Sequence, residues 1–117
     1  ALFGFPPPTP GVTPARLLEE GDTVELCDHT FTMLSTPGHS PGCMVALDAA
    51  SGVAIVGDLV FAQGIGRTDF PRSDPAAMMR SLERVFAEVP GETLIFPGHG
   101  PWNVTLASAE PYARMFM

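Results

Sequence analysis

Three short motifs carry the residues best suited to chemistry: Thr36-Pro37-Gly38-His39, Gly57-Asp58 and Pro97-Gly98-His99. Each ends in a side chain that binds hard or borderline metal ions. The chain has only 3 histidines, and two of them stand in this pattern. Imidazole and carboxylate donors together suit Zn²⁺, Fe²⁺ or Mn²⁺. A carboxylate such as Asp58 is able to bridge two such ions with water held between them. Metal binding lowers the pKa of that water towards ~7 and makes a nucleophile at neutral pH. The chemistry this points to is hydrolysis of an ester, thioester or amide.

Taken singly, none of these residues demands that reading. A lone histidine is more often solvated or packed in a core than bound to a metal, and an aspartate after glycine often only closes a turn. The shared setting is what counts. Each follows an apolar, β-like run: 30–36 before His39, 53–57 before Asp58 and 93–96 before His99. Side chains just past strand ends converge on one rim of a sheet, where rigid strands hold the loops. Gly38, Gly57 and Gly98 precede the three candidates, and a missing Cβ lets the backbone turn sharply or approach a ligand.

The positioning elements can be read in order. Residues 1–22 read as a Pro-rich covering segment over 1–14 and a short helix through Glu20, with Thr13 and Pro14 as N-cap and N1. Residues 23–57 read as antiparallel strands (23–27, 30–36, 43–48 and 53–57), because the links between them are short. The turns fall at Asp28-His29, at Pro37 to Gly42 and at Ala49 to Gly52. The second strand carries apolar residues on both faces, as a sheet packed on both sides requires. Residues 58–74 form a long Gly-rich loop of the kind that usually serves a site. Within it Arg67 and Asp69 either brace the loop as an ion pair or touch substrate.

Asp74 and Pro75 open the clearest helix, 75–89. Met78, Met79, Leu82, Val85, Phe86 and Val89 share one face. Residues 93–117 give a last strand, the His99 loop and a terminal helix from Pro111. His29 reads as solvent-exposed in a polar turn. Cys27 and Cys43 read as buried free thiols, which suits a reducing, cytoplasmic setting. Trp102 and Tyr112 read as covers for apolar surface.

Composition narrows the partners. The 117 residues make one domain at most. Six basic residues, all arginine, stand against 13 acidic ones, for a net charge of −7. No basic cluster exists, so nucleic acid is excluded as an expected partner, and anionic membrane surfaces are disfavoured. No apolar run approaches the ~20 residues that span a bilayer. Mean hydropathy is nevertheless +0.20, high for so short a chain. The excess implies an apolar face meant for another segment or chain.

At these residues the chain resembles the metallo-β-lactamase-fold hydrolases, and within them the glyoxalase II-like branch. The resemblance runs from Ala1-Leu-Phe-Gly-Phe-Pro6 through Leu17-Leu-Glu-Glu-Gly-Asp22, Thr36 to Gly42 and Gly57-Asp58. It continues through Gly64-Ile-Gly-Arg-Thr-Asp-Phe-Pro71 to Pro97-Gly-His-Gly-Pro101. It implies an α/β fold, the C-terminal half of an αββα sandwich whose rim binds two metals, usually zinc. On this resemblance His39 completes one metal site, Asp58 bridges and His99 serves the second. The implied reaction is attack of metal-bound hydroxide on a small-molecule acyl thioester. Asp rather than Cys at position 58 points away from the lactamases.

The family's His-x-His-x-Asp-His motif is absent, and with it most of the metal ligands. The chain alone would then offer one ligand to the first ion and two to the second, too few for catalytic zinc. The expectations that follow are an inactive isolated chain, a sheet with one uncovered apolar face, and a partner. That partner is either the missing N-terminal half or a second copy. Two other readings stay open: a persulfide dioxygenase-like mononuclear iron protein using His39 and Asp58, and a non-catalytic half-domain that self-associates.

Overall fold

The computed structural model describes residues 16–117. The expected covering segment and the Thr13–Pro14 helix start lie outside the described residues. Residues 16–19 are not helical, and Glu20-Gly21 is a turn, so the short helix through Glu20 does not form there. A single turn gains little cooperative hydrogen bonding. The backbone here is instead closed by Asp22, whose carboxylate accepts from the Glu19 N–H at 2.8 Å.

Eight strands and two helices follow: β1 Thr23–Leu26, β2 His29–Ser35, β3 Met44–Asp48, β4 Val53–Gly57, β5 Val60–Phe61, β6 Gly64–Ile65, α1 Pro75–Glu88, β7 Leu94–Pro97, β8 Val104–Thr105 and α2 Leu106–Arg114. Six strands form one sheet in the order β1-β2-β3-β4-β7-β8, and β5 pairs with β6 alone. Every pair is antiparallel except β4 with β7. A parallel pair needs a crossover connection, and α1 lies in this one. The loop expected over 58–74 thus contains the small β5–β6 hairpin.

Local chemistry explains the boundaries. The first turn is Cys27-Asp28, one residue earlier than expected, with φ of 49° and 67°. Two successive left-handed residues match the twist of a two-residue hairpin. Cys27 is therefore exposed and Cys43 only partly buried, which corrects the expectation of two buried thiols. Helix α1 starts as its sequence predicts: Asp74 caps it by accepting from the Ala77 N–H at 3.1 Å, and Pro75 occupies its first turn. Helix α2 begins five residues before Pro111. Thr105 caps it, accepting from the Ser108 N–H at 3.2 Å. Its buried stripe is Leu106, Ala109 and Ala113, and small alanines give a weak apolar signal. Pro111 lies inside the helix.

Leu34, Val45, Ala54, Val56 and Ile95 of the sheet share one core with Met78, Leu82 and Val85 of α1 and with Ala109 and Ala113 of α2. Met79 and Phe86 pack at its edge. The opposite sheet face presents the cross-strand row Met33, Ala46, Ile55 and Phe96. There Ile55 is 50% exposed. Trp102, itself exposed, stacks on Phe96 with ring centroids 5.9 Å apart.

An arginine ties these layers together. Arg84 of α1 holds the Glu20 carboxylate with two hydrogen bonds of 2.6 and 2.7 Å. It also donates to Glu88 at 2.9 Å and to the Ser35 carbonyl at 3.2 Å. The end of β2, which leads to His39, is thus anchored to the helix.

Candidate metal centre

Strand direction decides where the three candidates meet. β2 is antiparallel to β3, β3 is antiparallel to β4, and β4 is parallel to β7. So β2, β4 and β7 all run the same way, and their C-terminal ends share one edge. His39, Asp58 and His99 lie just beyond those ends. A register shift between Ile55 and Gly57 bends β4 there, and such bulges re-aim the next side chain. The Gly98 N–H then donates to the Gly57 carbonyl at 2.8 Å, drawing the His99 loop alongside Asp58.

The three side chains are brought together. His39 Nε2 lies 3.4 Å from Asp58 Oδ2, and His99 Nε2 lies 3.3 Å from Asp58 Oδ1. The carboxylate thus turns one oxygen to each imidazole. His39 is the most sheltered of the three, at 20% exposure, whereas His99 is 75% exposed. Phe61 of the hairpin meets the His99 ring edge-on at 5.7 Å. A cavity of about 220 Å³ opens beside it, lined by Phe61, Gln63, Gly64 and Pro101 among others.

The backbone around His39 is fixed from two sides. The Ser73 hydroxyl donates to its carbonyl at 2.8 Å, and the Asp74 N–H donates to the Gly38 carbonyl at 2.7 Å. Gly38 has a φ of 147°, and a Cβ there would lie 2.4 Å from Met78 Cα. Its glycine is thus needed for packing on α1 rather than for approach to a ligand. Gly98 does approach the site: its Cβ would stand 2.9 Å from Asp58 Oδ1.

The ring of His39 is set by the loop. His39 Nδ1 lies 2.7 Å from the Arg67 carbonyl oxygen. A carbonyl only accepts, so Nδ1 carries the proton and a neutral ring has its lone pair on Nε2. That lone pair faces a carboxylate oxygen. Two donor pairs facing each other call for a cation between them. Two donors each ~2.0–2.1 Å from a tetrahedral ion lie about 3.3 Å apart, the separation found on both sides of Asp58. By donor type, His39 with Asp58 would hold one divalent ion and Asp58 with His99 a second. Each ion would then have two donors, one more for the first than the sequence count allowed. Among the described residues no group of three or more His, Cys, Asp or Glu side chains suits a single ion.

Arg67 and Asp69 stand on the same loop. Arg67 Nε and Nη2 donate to the two Asp69 oxygens at 2.9 and 2.7 Å, which holds the Asp69 carboxyl below its ordinary range. The Arg67 guanidinium also sits 4.7 Å above the Phe70 ring, and Phe70 meets His39 edge-on at 5.7 Å.

Comparison with known proteins shows the family. The model of the metallo-beta-lactamase superfamily matches residues 3–112. The chain belongs to that superfamily. It is 35% identical over 85 residues to hydroxyacylglutathione hydrolase GloC of Haemophilus influenzae, covering 73% of this chain and 40% of that protein. A human mitochondrial persulfide dioxygenase, ETHE1, is 29% identical over 93 residues, covering 80% and 37%. Among solved structures, TTHA1623 in a di-iron-bound form superposes with a TM-score of 0.76 at 38% identity, covering 89% of this chain and 50% of that one. The chain therefore spans half or less of the length of these relatives. The α/β half-sandwich implied by the sequence is the fold observed. Among the described residues no helix is long and apolar enough to cross a membrane.

One polar cluster escaped the sequence reading. His29 is exposed, as its sequence predicts, but it opens β2 rather than lying in the turn. His29 Nδ1 lies 2.6 Å from Asp48 Oδ2 and 3.1 Å from Ser51 Oγ. Asp48 is buried, and the His29 hydrogen bond, with help from Ser51, lowers its carboxyl pKa. The pair clips the β1–β2 hairpin to the β3–β4 turn, at the end of the sheet away from Asp58. The signal available was an aspartate closing an otherwise apolar strand, which must find a partner when buried.

Proposed function

We propose that this chain furnishes one side of a dinuclear metal centre that hydrolyses an acyl thioester. The observation that carries the reading is the division of Asp58 between two imidazoles at matched distances of 3.4 and 3.3 Å. A carboxylate so placed is suited to spanning two ions; the family resemblance implies zinc, and the similar structure TTHA1623 is in a di-iron-bound form. His39 and His99 hold the outer positions, and Asp58 fixes the spacing between them. Bound divalent cations supply Lewis acidity and an acidified water. The exposed side of His99 and its neighbouring cavity leave room for a small acyl substrate. The remaining donors come from a segment carrying His-x-His-x-Asp-His, in the same or another polypeptide. That segment is proposed to pack on the Met33–Ala46–Ile55–Phe96 face. A second copy of this chain is a weaker partner, because it brings no such motif.

The persulfide dioxygenase reading rests on the ETHE1 similarity. A mononuclear iron centre built on His39 and Asp58 leaves the His99–Asp58 contact without a purpose, which favours the hydrolase. The test is to supply the 117-residue chain with a polypeptide bearing the motif. Thioester turnover with two metal ions per complex is expected, and none from the chain alone. Oxygen consumption on a persulfide with one iron would instead establish the dioxygenase.

A further inference from the structure

Arg67 is the most elaborately held exposed side chain near the centre, yet it points its guanidinium at Asp69 and Phe70 rather than at His39 or Asp58. What it offers the centre is its backbone carbonyl, 2.7 Å from His39 Nδ1. We propose that the Arg67–Asp69 pair is a positioning device that sets the tautomer and aim of His39, not a substrate-binding group.

The argument runs from the fork to the ring. Two parallel hydrogen bonds between residues 67 and 69 close a short loop of backbone. Bidentate arginine–carboxylate pairs are the geometrically strict kind. The guanidinium is further seated over Phe70, whose ring braces the face of the loop towards His39. On the other side the Gly66 N–H donates to the Leu59 carbonyl at 3.2 Å. The segment from Gly66 to Asp69 is thus held at both ends, and the Arg67 carbonyl within it is aimed at Nδ1. Free histidine prefers the proton on Nε2, the nitrogen that here faces Asp58. The carbonyl reverses that preference and leaves Nε2 as a donor. Metal-binding imidazoles are generally oriented by such a hydrogen bond on their other nitrogen.

This deepens the reading of His39 as a metal ligand, but the tautomer is measured without metal. The probe is ¹⁵N NMR of the histidine side chains at about pH 9, where imidazole is neutral and a tautomer ratio is defined, in the metal-free 117-residue chain with its native sequence and with Arg67→Ala or Asp69→Asn. The Arg67 and Asp69 side chains are 68% and 64% exposed, so neither change disturbs the core. His29, held by Asp48 at the far end of the sheet, is the internal reference. The native chain should show His39 protonated on Nδ1. Both variants should raise its Nε2–H to Nδ1–H ratio about fivefold, the worth of one ordinary hydrogen bond, while His29 stays put. A native His39 protonated on Nε2, or a ratio unmoved in either variant, overturns the proposal. Failure to bind metal with the tautomer as described would count against the dinuclear centre alone.

Discussion

Gly66 and Asp58 are in backbone contact: a Cβ on Gly66 would fall 1.8 Å from the Asp58 carbonyl oxygen and 3.4 Å from His39 Nδ1. The loop that carries Arg67 therefore reaches the centre only because residue 66 has no side chain. This contact couples the Gly64–Pro71 segment to two candidate ligands at once.

Gly66→Ala should accordingly be among the most damaging single-methyl changes in the chain. The obstacle is backbone, which cannot swing aside as a side chain does. Overpacking of this kind costs ~1–3 kcal/mol, and the strain would fall on Asp58 and His39. Thermal unfolding should show a clear drop in Tm relative to a control such as Gly42→Ala, where a Cβ meets nothing within 4 Å among the described residues. Equal Tm values for the two variants would mean that the loop does not sit on Asp58.

Metal stoichiometry in the assembled protein should resolve the three candidate ligands. His99→Ala is expected to lose one ion and His39→Ala the other, because each imidazole faces a different Asp58 oxygen. Asp58→Asn should lose both, since a neutral amide holds neither ion well. Elemental analysis of the purified variants reads this directly. Retention of both ions in His99→Ala would remove that residue from the centre.

Much of this arrangement was legible in the sequence because it depends on short-range rules. Asp74-Pro75 caps a helix wherever it stands before an amphipathic run. Glycines just before His39, Asp58 and His99 mark one sheet edge once β2, β4 and β7 run the same way. What was not legible depends on distant partners. Cys27 is exposed because a two-residue turn, not an apolar environment, claims it. His29 acquired a role only when β3 brought Asp48 beside it. The terminal helix starts before Pro111, the conspicuous helix-start signal, because two of its three buried residues, Ala109 and Ala113, are small and weakly apolar. The division of Asp58 between two histidines depends on the β4 bulge, which no local pattern announced.

Stability at low pH should depend on Glu20. The Arg84 hydrogen bonds, followed by the Ser35 N–H, hold its carboxyl at about 2, against an ordinary 4.5. A depressed folded-state pKa gives stability that is complete above the unfolded value and is lost as pH falls from 4.5 towards about 2. Glu20 is 48% exposed, so solvent screening limits the contribution to about 1 kcal/mol or less. Glu20→Gln should lower stability at pH 7 by that amount and converge with the native chain near pH 2. Urea denaturation at the two pH values checks it, and an unchanged difference at both would rule the ion pair out as its source.

Thr36 offers the opposite kind of test. Its side chain is 1% exposed, and its hydroxyl has no hydrogen-bond partner among the described residues. A buried hydroxyl left unpaired costs free energy, and removing it while keeping the shape recovers that cost. Valine has the same branched outline. Thr36→Val should therefore leave the fold intact and raise stability by up to ~1 kcal/mol, seen as a higher urea midpoint with an unchanged slope. A loss of stability would show instead that the hydroxyl is satisfied in solution by an ordered water beside the His39 loop.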